Sequence, residues 1–416
     1  MKQAFLALLL SLPPLSWGMG DIAYVLIGAD GSGHVRFITR KSCPNILFDG
    51  KPEKMAVRSK PGNARGSKFQ TLTCETQVPK GVKSIIAGKV WLPVPVPGPR
   101  RIVLIGDTGC RMKGNSFQAC NDPEKWPFRQ VSLAAAAFKP DLVIHVGDYH
   151  YRESPCPKGM KGCSKSPYGY GFDAWNADFF SPAAKLLKAA PWIFVRGNHE
   201  SCFRAGQGWF RYLAPDPFSP ARSCDDPAND ASADYSAPYS VPISPDTQLI
   251  VFDSSKSSDA SDKHYQDEFD TVGKLAKALP HGFFLSHHPV LGFAAGLHPI
   301  SLQSSMHESF PPEIEAAFHG HVHLFESLDF ESGYPATFVA GNSGTSTDQA
   351  LPEKLPAGAE PAPSAKVGAF FSSEKIGFMT LEKVGGVWIF TERDRLGKPE
   401  WACTLRGRQC ERIGLK

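Results

Sequence analysis

DLVIHVGDYHY, residues 141–151, decides the fold. Its apolar run stops at Gly147-Asp148, the way a buried strand passes into a tight turn. A strand apolar at nearly every position is covered on both faces, as in the parallel sheets of α/β proteins. The same pattern recurs in RIVLIGD (101–107), PWIFVRGN (191–198), GFFLSHHP (282–289) and EAAFHGHVH (315–323). Each run closes on side chains that bind metals: Asp107, then Asp148 with Tyr151, Asn198, His287, and His321 with His323. Donors at strand ends ride on stiff backbone, and the glycines beside them make room for tight turns. The set reads as a two-metal site and points to metal-assisted chemistry on a phosphate ester.

Between these runs lie helical patterns, FRQVSLAAAAFK, DAWNADFFSPAAKLLKAA and YQDEFDTVGKLAKAL. The alternation predicts an α/β (α+β) chain of mixed sheets covered by helices, with the site at the carboxyl edges of strands. After a long Pro- and Ala-rich stretch (about 346–366), two alternating runs flank Gly385-Gly386 and predict a hairpin.

The 416 residues suggest a large domain and a smaller one. MKQAFLALLLSLPPLSWGMG reads as a signal peptide over residues 1–20: Lys2, a short apolar core, then small residues before Asp21. Residues 21–98 carry short strand-like pieces and form a small N-terminal β domain; VPVPGPR is a stiff linker into residues 99–416. The net charge of +4 and the absence of basic blocks interleaved with aromatics give no ground for nucleic-acid binding. No internal stretch is long and apolar enough to span a membrane. All ten cysteines follow the leader, which argues for disulfides and a secreted or periplasmic protein. Sequence neighbours suggest Cys43–Cys74, Cys156–Cys163, Cys202–Cys224, Cys403–Cys410 and Cys110–Cys120, although spacing alone leaves connectivity open.

The motif order GD, GDxxY, GNH, H, GHxH resembles the calcineurin-like metallophosphoesterases, and within them the purple acid phosphatases, over about residues 100–395. Most such enzymes carry Asp-x-His in the first block. Here that block is Asp107-Thr108-Gly109, and Tyr151 stands where a replacement ligand belongs. The resemblance implies a βαβ sandwich of two mixed sheets flanked by helices. It implies Fe(III) held by Asp107, Asp148, Tyr151 and His323, and divalent Fe, Zn or Mn held by Asp148, Asn198, His287 and His321. A phenolate is a hard anionic donor suited to a hard trivalent ion. His199 resembles the family's phosphate-facing, proton-donating histidine; His298 is a second substrate-facing candidate; Glu200 is expected to orient His199. The implied reaction is a secreted acid phosphatase's hydrolysis of small phosphomonoesters, with metal-activated hydroxide attacking phosphorus.

Plainer readings stand beside these. A Gly-Asp turn is common on any α/β fold, and Tyr151 could be a core aromatic. His321 and His323 share a face if they lie on a strand. Aligned with the family it resembles, the chain's proline two residues past His287 favours that residue over His288 as the ligand. His145 reads as buried; His150 and His319 have the wrong parity and read as supporting or solvent-facing residues. AGNSG (340–344) reads as a plain turn. The scaffold also suits phosphodiester, nucleotide or pyrophosphate hydrolysis, because it reads the phosphorus centre and leaves selection to loops. A non-catalytic binding protein on a phosphatase scaffold fits less well, since no ligand of the pattern is missing. The sequence names no partner for the N-terminal region.

Overall fold

The computed structural model describes residues 20–257, 262–294, 298–299, 310–331, 333–362 and 364–415. The segment read as a signal peptide lies outside them, apart from Gly20. Two mixed sheets face each other. Arg101–Ile105, Leu142–His145 and Trp192–Phe194 run parallel inside an eleven-stranded sheet, extended antiparallel by Gly377–Val384, Val387–Asp394 and Pro399–Arg406. In a seven-stranded sheet, Thr247–Val251, His281–Leu285, Ile314–His319 and Ala336–Ala340 run parallel.

The period-two geometry of strands divides their side chains between two cores. Ile102, Leu104 and Ile144 point inward and meet Leu249, Phe283, Leu285, Phe318 and Phe338 of the facing sheet. Val103, Ile105 and Val143 point outward onto Phe128, Val131, Phe179 and Leu186. On the other sheet, Ile250, Phe284 and Ala317 pack against Tyr265, Val272 and Ala276 of the helix Lys263–Ala276. Both faces are covered, so the strands tolerate no polar alternation.

Phe128–Ala137 and Lys263–Ala276 form as expected. The DAWNADFFSPAAKLLKAA pattern instead breaks into Phe172–Trp175, a wide π-type turn over Asn176–Phe180, and Ser181–Ala183. Pro182 lacks an N–H and crowds the carbonyl four residues earlier, which favours the wider turn. The hairpin closes at Val384 opposite Val387, with Gly385 and Gly386 at φ 59° and 87°. Both turn residues are left-handed, which glycine allows at no steric cost.

Backbone pairing crosses the boundary expected near residue 98. Ile22–Ile27 runs parallel to Trp192–Phe194 through Leu26 and Trp192, and Gly33–Thr39, Leu72–Gln77 and Ala56–Ser59 continue the large sheet. Asn45–Phe48, Lys51–Lys54, Ile85–Ala87 and Val90–Leu92 form a separate small sheet. Arg36 fastens this region by donating to Tyr212 O (2.6 Å) and Ala214 O (2.8 Å), while Glu75 pairs with Arg36 and Arg58. Disulfides join Cys43–Cys74, Cys110–Cys120, Cys156–Cys163, Cys202–Cys224 and Cys403–Cys410, as sequence proximity suggests. Such a set indicates an oxidising compartment. Among the described residues no helix is long and apolar enough to cross a membrane.

Candidate metal centre

The strand ends bring the predicted donors together. Tyr151 Oη lies 2.9 Å from Asp107 Oδ1, 2.8 Å from Asp148 Oδ2 and 2.9 Å from His323 Nε2. A second group meets the first at Asp148: His287 Nε2 is 3.2 Å from Asp148 Oδ2 and 3.1 Å from Asn198 Oδ1, which lies 3.2 Å from His321 Nδ1. Donor atoms of Asp148, His287 and His321 all fall within 4.8 Å of one another. Metal–ligand bonds of about 2.1 Å leave neighbouring donors about 3 Å apart, so the spacing suits donors to a cation.

The backbone is bent to achieve this. Asp107, Asp148 and His321 have φ of 55°, 59° and 72°, a left-handed conformation that non-glycine residues adopt at a cost of about 1–3 kcal/mol. Glycines clear the space. A Cβ on Gly320 would stand 2.6 Å from Asp107 Oδ2, one on Gly147 would stand 2.5 Å from His287 Nδ1, and one on Gly197 would strike Asp148 Oδ1. His321 and His323 do not share a strand face as expected. Ile314–His319 ends before them, and the turn at His321 aims both rings.

Burial sets the protonation states. It is the largest effect on the Tyr151 phenol, which it pushes well above the usual value with help from Asp107 and Asp148. It also raises the Asp107 carboxyl. Burial alone would raise Asp148, but His287 and His199 outweigh it and hold that carboxyl well below the usual range. Burial works against a charge on His287 too, yet Asp148 and Asp107 lift the imidazole to about 9. Packed oxygens that draw protons or imidazolium toward them are the chemistry of a cation site.

His199 packs against Tyr151, ring centroids 3.9 Å apart and planes tilted by 39°. Its Nδ1 lies 2.7 Å from Glu153 Oε1 and 3.0 Å from His150 O, and Arg204 reaches its Nε2 at 2.9 Å. Glu153 therefore takes the orienting place expected of Glu200. Glu200 instead accepts from the backbone N–H groups of Asp148, Tyr149, His150 and Gly197, clamping the turn that presents Asp148. Each of its oxygens is already occupied by those donors, which leaves none for the ring. His298 sits on a two-residue strand opposite Ala294, and its side chain lies outside the described residues.

The other histidines support the shell. His288 turns to Ser254 Oγ (3.1 Å), His145 to Thr108 Oγ1 (2.9 Å) and His319 to Ser286 Oγ (2.9 Å). His150 and His319 are buried, so neither faces solvent. In AGNSG, Ser343 Oγ accepts from Gly106 N and Asn342 donates to Glu392, which makes the segment a buttress. Sequence reasoning passed over Asp178, whose carboxylate accepts from the N–H groups of Cys110 (3.0 Å), Tyr151 (2.7 Å) and Arg152 (3.1 Å), tying the two metal loops together. It also passed over Arg111, whose Nη2 reaches His323 Nδ1 at 2.8 Å, and Asp348, which accepts from His323 N at 2.9 Å. Only Glu153, two residues past Tyr151, carried a readable signal: a carboxylate beside a motif rich in histidine.

The family described as Calcineurin-like phosphoesterase matches residues 100–325. A purple acid phosphatase from yellow lupin (Lupinus luteus) seeds superimposes with a TM-score of 0.57 at 14% identity, over 92% of this chain and 74% of its own. A structure of PhoD superimposes with a TM-score of 0.55 at 10% identity, over 98% of this chain and 93% of its own. At such identities the likeness is one of fold. No curated protein sequence matches.

Proposed function

We propose, for a chain that belongs to the calcineurin-like phosphoesterase family, that it is an exported two-metal acid phosphatase of the purple type acting on phosphomonoesters. The family implies divalent metal ions and phosphate-ester substrates. The finer reading rests on one observation: Tyr151 Oη sits within 2.9 Å of Asp107, Asp148 and His323, with no histidine in the first motif block. Fe(III) would be held by Asp107, Asp148, Tyr151 and His323, and divalent Fe, Zn or Mn by Asp148, Asn198, His287 and His321. Residues 21–98 are read as a small β domain and 99–416 as the catalytic domain.

Two cations held by these residues would neutralise the anionic ester and acidify a water. The protein's own part is orientation and proton handling. His287 Nδ1 donates to Val146 O at 2.8 Å, which fixes the ring with Nε2 toward the cluster. His321 N donates to Asp107 Oδ2 and His199 N to Asp148 Oδ1, both at 2.9 Å, holding the carboxylates in place. His199 keeps one proton on Nδ1 through Glu153 and His150 O. Its Nε2 accepts from Arg204 in this structure, and burial lowers the ring to about 4. His199 therefore serves as a general acid only after Nε2 takes a proton at acidic pH in place of the Arg204 contact.

The test is turnover of an aryl phosphate by metal-loaded protein between about pH 4 and pH 8. Hydrolysis that is lost on chelation and restored by iron with zinc or manganese supports the reading. Absence of turnover across that range, with metal bound, would sink it.

A further inference from the structure

The segment following Asp107 is cross-linked at several points. Cys110–Cys120 closes its base, and Met112–Lys113 pairs with Ser116–Phe117 around Gly114 at φ 55°. Met112 N donates to Tyr151 O at 3.0 Å, and Met112 O accepts from Ser154 N at 2.8 Å, stitching the hairpin to the tyrosine's own chain. Gln118 holds its two ends together, accepting from Arg111 N and donating its backbone N–H to Arg111 O.

Residues i and i+2 of an extended segment share a face. Met112 is buried, so Arg111 and Lys113 project together from the opposite side. Arg111 establishes where that side looks: its Nη2 is 2.8 Å from His323 Nδ1, and its guanidinium carbon is 5.8 Å from the Tyr151 ring centroid. Arg204 reaches the other ring of this pair, at His199 Nε2. Cations thus flank the Tyr151–His199 pair. The nearby carboxylates are already engaged, Glu153 with His199 and Arg204 and Asp348 with His323 N. Among the described residues no carboxylate pairs with the exposed Lys113 ammonium.

Arg111 is also held by a contact that a bound cation would weaken. An imidazole giving its Nε2 lone pair to a metal keeps its proton on Nδ1, where a guanidinium no longer finds an acceptor. Asp348 Oδ2, 3.6 Å from that nitrogen, is placed to take the proton's hydrogen bond instead. Arg111 would then be free to donate to a substrate oxygen.

Resting on the phosphatase reading above, we infer that Arg111, Lys113 and Arg204 bracket a second phosphate group of the substrate, so that the preferred leaving group is itself a phosphate, as in pyrophosphate and organic diphosphates. Forked guanidinium groups and a mobile ammonium suit phosphate oxygens, and a monoester with a neutral leaving group gives them nothing to hold. In the step, an oxygen from water bonds to the terminal phosphorus and the bridging P–O bond breaks. Its electron pair stays with the departing phosphate; of the water's two protons, one remains on the new phosphate and the other goes to the departing one.

The experiment compares Lys113→Ala and Lys113→Glu with the parent, all metal-loaded, on pyrophosphate and on an aryl phosphate. The inference expects KM for pyrophosphate to rise at least about tenfold more than KM for the aryl ester, and further in the glutamate variant. Calorimetry of pyrophosphate and orthophosphate binding supplies a readout independent of turnover, with pyrophosphate tighter in the parent and that preference lost in both variants. Equal shifts for both substrates, or equal affinity for the two anions in the parent, would overturn it. Absence of all turnover while the pyrophosphate preference persists would remove the phosphatase reading and leave the bracket standing.

Discussion

Glu153 Oε1 lies 2.7 Å from His199 Nδ1, so the histidine packed against Tyr151 is held by a carboxylate from the loop that also carries the tyrosine. The arrangement makes Glu153 a positioning residue: it acts on the ester only through the ring. Glu153→Gln should lower kcat by about ten- to a hundredfold with KM changed far less, and Glu153→Asp should recover part of the loss. Steady-state kinetics read this split. A rise in KM with kcat intact would mean that Glu153 contacts substrate directly.

Asp178 accepts backbone N–H groups from both metal loops and pairs with Arg152 Nε at 2.6 Å, with both side chains fully buried. Removing the charge leaves Arg152 uncompensated in the interior. Asp178→Asn should therefore cost about 3–5 kcal/mol in stability, measured by chemical denaturation. A cost near zero would show that the loops are held by other means.

Glu75 tests how residues 21–98 are fastened. Burial favours its neutral form, but Arg36 and Arg58 outweigh that and hold the carboxyl below its ordinary value. A carboxyl depressed on folding adds stability that is full above its unfolded pKa and is lost as pH falls through the folded one. Glu75→Gln should destabilise by about 2 kcal/mol at neutral pH, and the gap to the parent should close below about pH 4. A gap that is constant with pH would mean the contribution is packing alone.

Gly197→Ala places a methyl group against Asp148 Oδ1, the carboxylate shared by both donor groups. The expected result is a folded protein, judged by circular dichroism, that retains less than about half of the parent's metal after dialysis. Full retention would mean that Asp148 has room to move and still bind.

Much of this centre could be read in advance because its donors follow apolar runs, and local pattern marks where a buried strand stops. Asp107, Asp148, Asn198 and His287 needed nothing more. His321 and His323 join the cluster by a route other than strand alternation, since Ile314–His319 has ended and the chain turns at His321. The supporting residues were hidden by distance along the chain. Asp178 acts on Cys110 and Arg204 on Glu153, contacts that no spacing rule encodes. Likewise, a strand beginning at Ile22 gave no sign that it pairs with Trp192, because edge partners are chosen by tertiary packing.

The claim that Tyr151 occupies a metal's coordination shell is tested most directly by the visible spectrum of oxidised, iron-loaded protein, with iron quantified in the same sample. Phenolate bound to Fe(III) absorbs strongly in the visible, so the parent should be coloured and Tyr151→Phe should bind iron without the band. A colourless parent containing iron, or a band unchanged in the phenylalanine variant, would contradict the account.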